Sequence, residues 1–194
     1  MKLELEKILM KLDTLNMEYL EESKNRIFNI IPELKNEDGF DQKSPWHIYD
    51  VWQHTEAALS NSNHNLEERL SLLLHDIGKP YSYQEENNIR HFKGHADKSA
   101  EIAKIVLKRL KYDDEQINSI CWLIQNHSTI IETKLINKEN IGRMKKLLNI
   151  QYCDCKAYNP DKIEPVIDRL NLIHAEIVKK EKSFEKEITG EDRE

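Results

Sequence analysis

The residue types best suited to chemistry in this chain are the adjacent His75 and Asp76, which follow the largely apolar run 70–74. Gly78 can adopt the left-handed conformation that ends a helix, and Pro80 cannot continue one. This pattern predicts that His75 and Asp76 lie on the last turn of a buried helix. An imidazole and a carboxylate buried there without partners would lose much hydration free energy, and a divalent metal ion compensates both. The alternative is an ordinary helix end, where His75 interacts with the helix dipole and Asp76 caps a neighbouring group.

Four further residues of ligand type fall where predicted helices begin, end or face inward. They are His54, His95, His127 and Asp154. Helix ends in a bundle can converge on one pocket, and metal sites are built there from facing helices. Imidazoles and carboxylates together suit Fe, Mn, Ni, Co or Zn ions. A single inward-facing histidine such as His54 is more often a core residue than a ligand, so the prediction depends on the complete set.

Other polar residues carry weaker signals. Lys79 places a positive charge at the mouth of the predicted site, where a phosphate could use it. Arg143 and the lysine pair 145–146 are candidates for a substrate rim, although a solvated helix face is the simpler interpretation. The three cysteines have no zinc-knuckle spacing and are interpreted as reduced thiols. We place the remaining histidines outside the site: His47, His64, His91 and His174.

The order of the candidate ligands resembles the HD superfamily of metal-dependent phosphohydrolases over roughly residues 46–175. The segment 75–79, His-Asp-Ile-Gly-Lys, matches the HDIG variant of that superfamily. Residues 51–110 most resemble the HD domain appended to bacterial tRNA nucleotidyltransferases. Because the Gly-Ser plus Asp-x-Asp pattern of the nucleotidyltransferase head does not occur, we expect a stand-alone HD protein. The resemblance implies an all-α helical bundle.

The resemblance also implies a ligand set. The residues that would hold a first metal ion are His54, His75, Asp76 and Asp154. Asp76 could bridge to a second ion, bound by His95 and His127. The implied cofactor is therefore one or two divalent transition-metal ions, of Fe, Mn, Ni, Co or Zn.

The implied chemistry is hydrolysis of a phosphate ester by a metal-activated water, with Asp76 and Lys79 as the catalytic residues. Two neighbouring ions clamp the attacking and leaving oxygens, and Lys79 would neutralise phosphate charge. Two departures argue against the trimetal site of the cyclic-dinucleotide phosphodiesterases in this superfamily. Asp50 stands where those enzymes carry a glutamate, and Asn126 precedes His127 where they carry a second histidine.

The elements that must position these residues are mostly helical, because charged residues make up 33% of the chain and Gly and Pro are few. Apolar spacing predicts one helix over 3–20 and a second over 21–31, followed by a loop over 35–45. Asn65 and Asp113 are predicted N-caps. Two short segments, one on each side of residues 87–88, predict a small hairpin or flap near 81–93. We predict N-terminal helices packing on the core over 1–45, the HD phosphohydrolase domain over 46–188, and a tail over 189–194.

Composition limits the possible partners. The net charge of -6 argues against broad nucleic-acid binding. No apolar run approaches the ~20 residues that span a bilayer, and the N-terminus lacks a signal peptide. We therefore expect a cytoplasmic protein without a membrane partner, and the sequence does not indicate its oligomeric state.

The resemblance implies a small phosphorylated substrate: a nucleotide, cyclic nucleotide or dinucleotide. One alternative is a non-catalytic regulatory protein that senses a nucleotide in the same pocket. Another is a helical interaction module whose histidines are merely buried.

Overall fold

Eight α-helices and one short hairpin form the regular structure of residues 1–11 and 15–189, which the computed structural model describes. The helices are α1 (Lys2–Leu9), α2 (Met17–Ile30), α3 (Val51–Ser60), α4 (Leu66–Leu74), α5 (His95–Arg109), α6 (Asp114–Asn126), α7 (Ile141–Cys155) and α8 (Glu164–Thr189). The antiparallel hairpin consists of β1 (Gln84–Glu86) and β2 (Ile89–His91). The predicted all-α fold with a small hairpin is confirmed.

The helix α4 lies at the centre of this bundle. It packs against α1, α3, α5, α6 and α7, and Leu70 and its apolar neighbours over 72–74 are almost inaccessible to solvent. Burial of these side chains fixes α4 in the core, since each fully buried Leu stabilises the fold by about 1.5–3 kcal/mol. His75, the C-cap of α4, and Asp76 are therefore buried as predicted, at 0% and 1% exposure.

Side-chain caps set where the helices begin. Asp50 accepts a hydrogen bond from the Gln53 amide at 2.8 Å, and the Gln53 side chain returns the contact to form a capping box at the start of α3. Asn65 and Asp113 cap α4 and α6 as predicted. The Asp50 carboxylate also accepts a bond from the Gly39 amide at 3.1 Å. Both oxygens of Asp50 therefore accept hydrogen bonds from backbone amides near the start of α3.

The N-terminal segment differs from its prediction. The single helix expected over 3–20 is wrong, because α1 ends at Leu9 and α2 begins at Met17. Asn16 accepts a hydrogen bond from the Tyr19 amide at 2.9 Å, and this strong N-cap starts a new helix within the apolar stripe. Leu12, which belongs to that stripe, lies outside the described residues.

Gly78 is required for a reason that its sequence position did not indicate. Its φ is -83°, so the expected left-handed conformation is wrong. A Cβ atom here would lie 2.6 Å from both the His95 carbonyl oxygen and the Ser99 amide nitrogen. The Gly78 amide donates to Ser99 Oγ at 2.9 Å. The absence of a side chain thus lets the first turn of α5 approach the end of α4.

The hairpin turns at Asn87 and Asn88, whose φ values of 50° and 62° belong to the left-handed region that two-residue hairpin turns need. The Arg90 guanidinium lies over the rings of Phe40 and Tyr83, at 4.6 and 4.8 Å from the centroids. These contacts attach the hairpin to the loop that precedes α3. The chain then passes through Phe92 to α5, whose first residue is His95.

The last helix of the described residues is α8. Residues 190–194, which make up most of the predicted tail, lie outside the described residues. The boundary at 45–46 between N-terminal helices and an HD domain stays a prediction. Among the residues that the structure describes, no helix has both the length and the apolar character that a membrane span needs.

Candidate metal centre

The structure brings the six predicted ligand residues to one centre where five helices meet. They come from the middle of α3, the C-terminal ends of α4, α6 and α7, and the first residue of α5: His54, His75, Asp76, His95, His127 and Asp154. Five of them are at most 5% exposed, whereas the side chain of His95 is 17% exposed. The centre is thus buried, with one ligand-type side chain on its solvent side.

The four histidines of the centre share one hydrogen-bonding arrangement. His75, His95 and His127 each place Nδ1 at 2.6–2.7 Å from the carbonyl oxygen of the residue three positions earlier. Nδ1 of His54 lies 3.3 Å from the Ala157 carbonyl oxygen. A carbonyl oxygen only accepts, so Nδ1 carries a proton and Nε2 faces the centre. Metal-binding histidines are oriented in this way.

The first group of ligand atoms surrounds one oxygen of Asp76. Nε2 of His54 and Nε2 of His75 lie 3.5 and 3.2 Å from Asp76 Oδ2. Asp154 Oδ1 lies 2.9 Å from His54 Nε2 and 3.6 Å from His75 Nε2. The ligand atoms of His54, His75 and Asp154 all lie within 4.8 Å of one another, and Asp76 Oδ2 lies next to both imidazoles.

The second group surrounds the other oxygen of the same carboxylate. Nε2 of His95 and Nε2 of His127 lie 3.5 and 3.8 Å from Asp76 Oδ1. The two Nε2 atoms are 3.2 Å apart. Asp76 therefore stands between two groups, with one oxygen towards each.

This atomic arrangement fits divalent metal ions. His75 Nε2 and Asp76 Oδ1 are buried without a hydrogen-bond partner among the described residues. The facing lone pairs of His95 and His127 would repel each other unless a cation lay between them. Ligands about 2.1 Å from an ion, at right angles to each other, are about 3 Å apart, which is close to the observed separations. Imidazole nitrogens and carboxylate oxygens are suitable ligands for a divalent transition metal.

The two acids of the centre are held ionised. Burial opposes ionisation of Asp76, but His75 and Lys79 outweigh it and hold the pKa of the carboxyl well below its usual range. Burial likewise opposes ionisation of Asp154, and His54 and His75 lower its pKa well below the ordinary value. In turn, burial disfavours a charged His75, but Asp76 and Asp154 raise its pKa to about 10. His75 and Lys79 thus balance the charge of the two carboxylates, and His75 must give up a proton before its Nε2 can bind a metal ion.

The histidines on the other side of the centre stay neutral. Burial and the charge of His75 lower the pKa of His127 to about 4. Burial also lowers the pKa of His95, although Asp76 opposes the shift. Neutral imidazoles keep the lone pair that a metal ligand requires.

Lys79 does not lie at the mouth of the site with a free charge. It is 5% exposed, and its Nζ lies 2.7 Å from Asp76 Oδ2 and 2.7 Å from Gln42 Oε1. The reason is local, because Lys79 begins the short 3₁₀ turn Lys79–Tyr81, three residues after Asp76. The ring of Phe92 lies 5.3 Å from Nζ.

His47 was predicted to lie outside the site, and the structure places it at the centre. Its ring packs edge-on against His54 and Tyr158, with centroid distances of 5.2 and 5.0 Å. Burial and the charge of Lys79 lower its pKa to about 3. Tyr158 donates from its hydroxyl to Asp154 Oδ2 at 3.1 Å. The spacing of four residues between Asp154 and Tyr158 was a usable signal, whereas nothing in the sequence distinguished His47.

Two further polar residues near the centre were missed because they lie in the loop before α3. Gln42 is 1% exposed and also donates from Nε2 to the Tyr49 carbonyl oxygen at 3.2 Å. Glu37 is fully buried and accepts from Thr55 Oγ1 at 3.3 Å. Burial and the nearby charge of Asp76 raise the Glu37 pKa well above its ordinary value. Loop residues of this kind have no periodic pattern that reveals their position.

The predicted substrate-rim residues are engaged elsewhere. Arg143 lies over the Trp122 ring at 4.0 Å, and Lys146 pairs with Glu67 at 2.6 Å. Lys145 pairs with Glu181 at 2.7 Å. The three remaining histidines show no contact with the ligand residues: His64 bonds to the Met10 carbonyl oxygen, His91 is exposed in β2, and His174 is exposed in α8.

The cysteines are free thiols and do not point to a zinc site. Cys153 and Cys155 flank Asp154 and are buried. Burial raises the pKa of each to about 12, so both stay protonated and poor as ligands.

Two small cavities meet at the centre. The first has a volume of about 120 Å³ and is lined by His47, Asp76, Lys79, Phe92, His95, His127, Ser128, Asp154 and Tyr158. The second, also about 120 Å³, is lined by His127, Ser128, Gln151, Asp154, Tyr158, Val166, Arg169 and Leu170. Because four residues line both, a ligand at the centre can be approached from two directions.

Comparison with known proteins agrees with this geometry. The family model described as "HD domain" matches residues 47–164, more than half of the chain. The chain is 29% identical over 131 residues to a CC-adding tRNA nucleotidyltransferase of Thermus thermophilus, covering 63% of this chain and 30% of that protein. It is 31% identical over 104 residues to an A-adding tRNA nucleotidyltransferase of Deinococcus radiodurans, covering 50% and 24%.

The matched region spans less than a third of either relative. No solved structure matches the chain significantly. HD domains bind divalent metal ions, and the described residues include two groups of His and Asp side chains that could hold one. The resemblance on which the sequence prediction rested is confirmed. The chain belongs to the HD domain family.

Proposed function

We propose that the chain is a metal-dependent phosphohydrolase that cleaves a phosphate ester of a nucleotide, cyclic nucleotide or dinucleotide. The observation that carries the proposal is the convergence of four Nε2 atoms and two ionised carboxylates on one centre. In all four histidines, Nδ1 points away from the centre towards a backbone carbonyl oxygen. A purely structural core would not need six such side chains in one place, since each is costly to bury.

In this proposal the ligands divide as the distances suggest. A first ion would be held by His54, His75, Asp76 and Asp154, and a second by Asp76, His95 and His127. Asp76 could contribute to both sets, because one of its oxygens faces each group. Divalent ions at this position supply a Lewis acid for the phosphate and a water of lowered pKa.

The chain's own residues bind and orient the substrate. Lys79 lies in the first cavity beside Asp76 and supplies a cation that can exchange its contact with Asp76 Oδ2 for a phosphate oxygen. Tyr158 fixes the orientation of the Asp154 carboxylate through its hydrogen bond to Oδ2. The apolar ring of Phe92 and the neutral ring of His47 line the same cavity and limit the access of water to the phosphate of the substrate.

The size of the cavities supports recognition through phosphate. Pockets that enclose a drug-sized ligand have volumes of about 300–1,000 Å³, whereas each cavity here has about 120 Å³. A phosphoryl group fits such a space, and a base and sugar would lie outside it. We therefore expect weak selectivity for the base.

The second candidate function is a non-catalytic regulatory protein that binds a nucleotide at the same centre. The observation that favours it is Lys79, which is already bound to Asp76 and Gln42 instead of facing an open cavity. Under this alternative the centre binds phosphate without turnover.

Turnover of defined substrates separates the two functions. The purified protein would be incubated under reducing conditions with Mn²⁺ or Fe²⁺ and with 5′-nucleotides, cyclic nucleotides and dinucleoside polyphosphates. We expect hydrolysis by the wild type and a loss of at least about 100-fold in Asp76→Asn, since removing one electrostatic contributor to catalysis has this scale. Asp168→Asn, an exposed acid on α8, is the matched control. Equal rates in the wild type and Asp76→Asn would contradict the hydrolase, and nucleotide binding without hydrolysis would favour the regulator.

A further inference from the structure

Arg169 on α8 is an exposed arginine without a partner. It forms no ion pair or hydrogen bond with any other residue in the described parts of the chain. Acidic side chains are abundant in this protein, which has a net charge of -6. By contrast, Arg109 is paired with Glu33 at 2.6 Å and Arg90 with Glu85 at 2.9 Å.

The position of Arg169 is set by the packing of α8. Leu170 is 1% exposed and, with the half-buried Val166, faces the core. Arg169 immediately precedes Leu170 on the helix, and it lines the second cavity together with Ser128 and Gln151. That cavity reaches His127, Asp154 and Tyr158, which also line the first.

The two cavities therefore present different cations to the same centre. Lys79 lies in the first cavity, buried and bound to Asp76 and Gln42. Arg169 lines the second cavity, and its guanidinium forms no ion pair or hydrogen bond with the described residues. Because His127, Ser128, Asp154 and Tyr158 line both cavities, a ligand at the centre would have Lys79 on one side and Arg169 on the other.

We propose that Arg169 binds a second ionised phosphate adjacent to the one held at the metal centre. The proposal rests on the proposed function and narrows its substrate class to nucleoside diphosphates, triphosphates or dinucleoside polyphosphates. A guanidinium can make two parallel hydrogen bonds to phosphate oxygens, so it recognises this group by geometry as well as by charge. The second cavity, of about 120 Å³, has room for one such group.

Binding of two non-hydrolysable probes tests this subsite without relying on turnover. Methylenediphosphonate carries two linked phosphonates, and methylphosphonate carries one. Their affinities would be measured by isothermal titration calorimetry in Mn²⁺ buffer, with titrations into buffer alone to remove the heat of metal chelation. The proteins are the wild type, Arg169→Gln, Arg169→Lys and Lys182→Gln. Lys182 is an exposed cation about 20 Å further along α8, outside both cavities, and its variant removes the same charge.

We expect the wild type to bind methylenediphosphonate more tightly than methylphosphonate. Arg169→Gln should lose about tenfold in affinity for methylenediphosphonate and little for methylphosphonate, since a charge-assisted hydrogen bond has this scale. Arg169→Lys should retain part of the preference, and Lys182→Gln should match the wild type. The proposal is overturned if the wild type shows no preference, if Arg169→Gln keeps it, or if Lys182→Gln loses it equally.

The outcome is separable from that of the proposed function. A preference that depends on Arg169, in a protein that hydrolyses none of the substrates screened, supports the subsite within a regulatory protein. Hydrolysis of nucleotides by a wild type that lacks the preference supports the hydrolase and overturns the subsite.

Discussion

At the scale of single residues, each histidine of the centre has one ring nitrogen occupied by a backbone carbonyl, so only Nε2 is available. For His75 and His127 that carbonyl lies three residues earlier, at the end of the helix. For these two histidines, the position at the C-terminal end of a helix therefore fixes the direction of the ring.

The division of the ligands into two groups predicts a selective effect of His127→Ala. His127 Nε2 lies near Asp76 Oδ1 and His95 Nε2, and its ring also packs against His75 at a centroid distance of 5.1 Å. We expect the variant to lose one bound ion and keep the other. Metal content after dialysis against Mn²⁺, measured by mass spectrometry, tests this expectation. His64→Ala, which removes a histidine outside the centre, should retain the content of the wild type. An unchanged metal content in His127→Ala would contradict a second site.

The hydrogen bond between Lys79 and Gln42 predicts that the two residues are coupled in the free energy of unfolding. The Gln42→Leu variant removes the acceptor at 2.7 Å from Lys79 Nζ and leaves a buried cation with fewer partners. We expect a loss of about 1–3 kcal/mol in the free energy of unfolding, measured by urea denaturation.

The control for this prediction is a double-mutant cycle. In a Lys79→Met background, Gln42→Leu should cost less than in the wild type, with a coupling of about 1 kcal/mol or more. Additive losses would show that Gln42 acts through general packing of its loop.

At the scale of elements, caps and a close helix approach determine where the ligands meet. The capping residues Asp50, Asn65 and Asp113 set the first residues of α3, α4 and α6, and hence the depth at which each helix presents its histidine. The contact of α4 with α5 depends on Gly78, since any side chain would collide with the backbone of α5. The caps at Asn65 and Asp113 were predicted from the sequence, but the cap at Asp50 and the reason for the glycine were not.

This contact predicts that Gly78→Ala is disruptive although the backbone there is right-handed. The new Cβ would lie 2.6 Å from two backbone atoms of α5, and relief of the clash must move His95 away from Asp76. We expect a loss of about 1–3 kcal/mol in stability and weaker metal binding, measured by thermal unfolding with and without Mn²⁺.

Gly142→Ala is the matched control, because a Cβ there meets nothing within 4 Å. A Gly78→Ala protein as stable as the wild type, with unchanged metal affinity, would show that α5 does not depend on this approach.

At the scale of the whole molecule, the segment before residue 46 does more than pack on the core. It supplies Gln42 and Glu37 close to the centre, and α2 packs against α3. Between these helices, Glu56 is 2% exposed, and burial and the charge of Glu21 raise its pKa to about 8. The folded protein therefore holds a proton on Glu56 that the unfolded chain releases near pH 4.5.

The sign of the resulting pH dependence follows from proton binding. Between pH 4.5 and 8 the unfolded chain binds fewer protons than the folded protein, so Glu56 lowers stability progressively as pH rises through this window. Glu56→Gln should thus stabilise the protein by about 2 kcal/mol at pH 8 and have little effect near pH 4.5. Urea denaturation across this range measures the difference. Glu18→Gln, an exposed change on α2, should leave the slope unchanged, and a pH-independent effect of Glu56→Gln would contradict this assignment.

The sequence by itself determined the helical class, the hairpin, the caps and the family. These follow from local physics, because apolar periodicity, capping side chains and a short ligand motif are all encoded within a few residues. The tertiary structure alone decided that the six ligand-type residues meet, that Asp76 turns one oxygen to each group, and that His47 and Gln42 join them. It also decided that Lys79 is buried and that Arg169 remains uncommitted at a second opening. Such relations join residues far apart in the chain, and no local pattern records how distant segments pack.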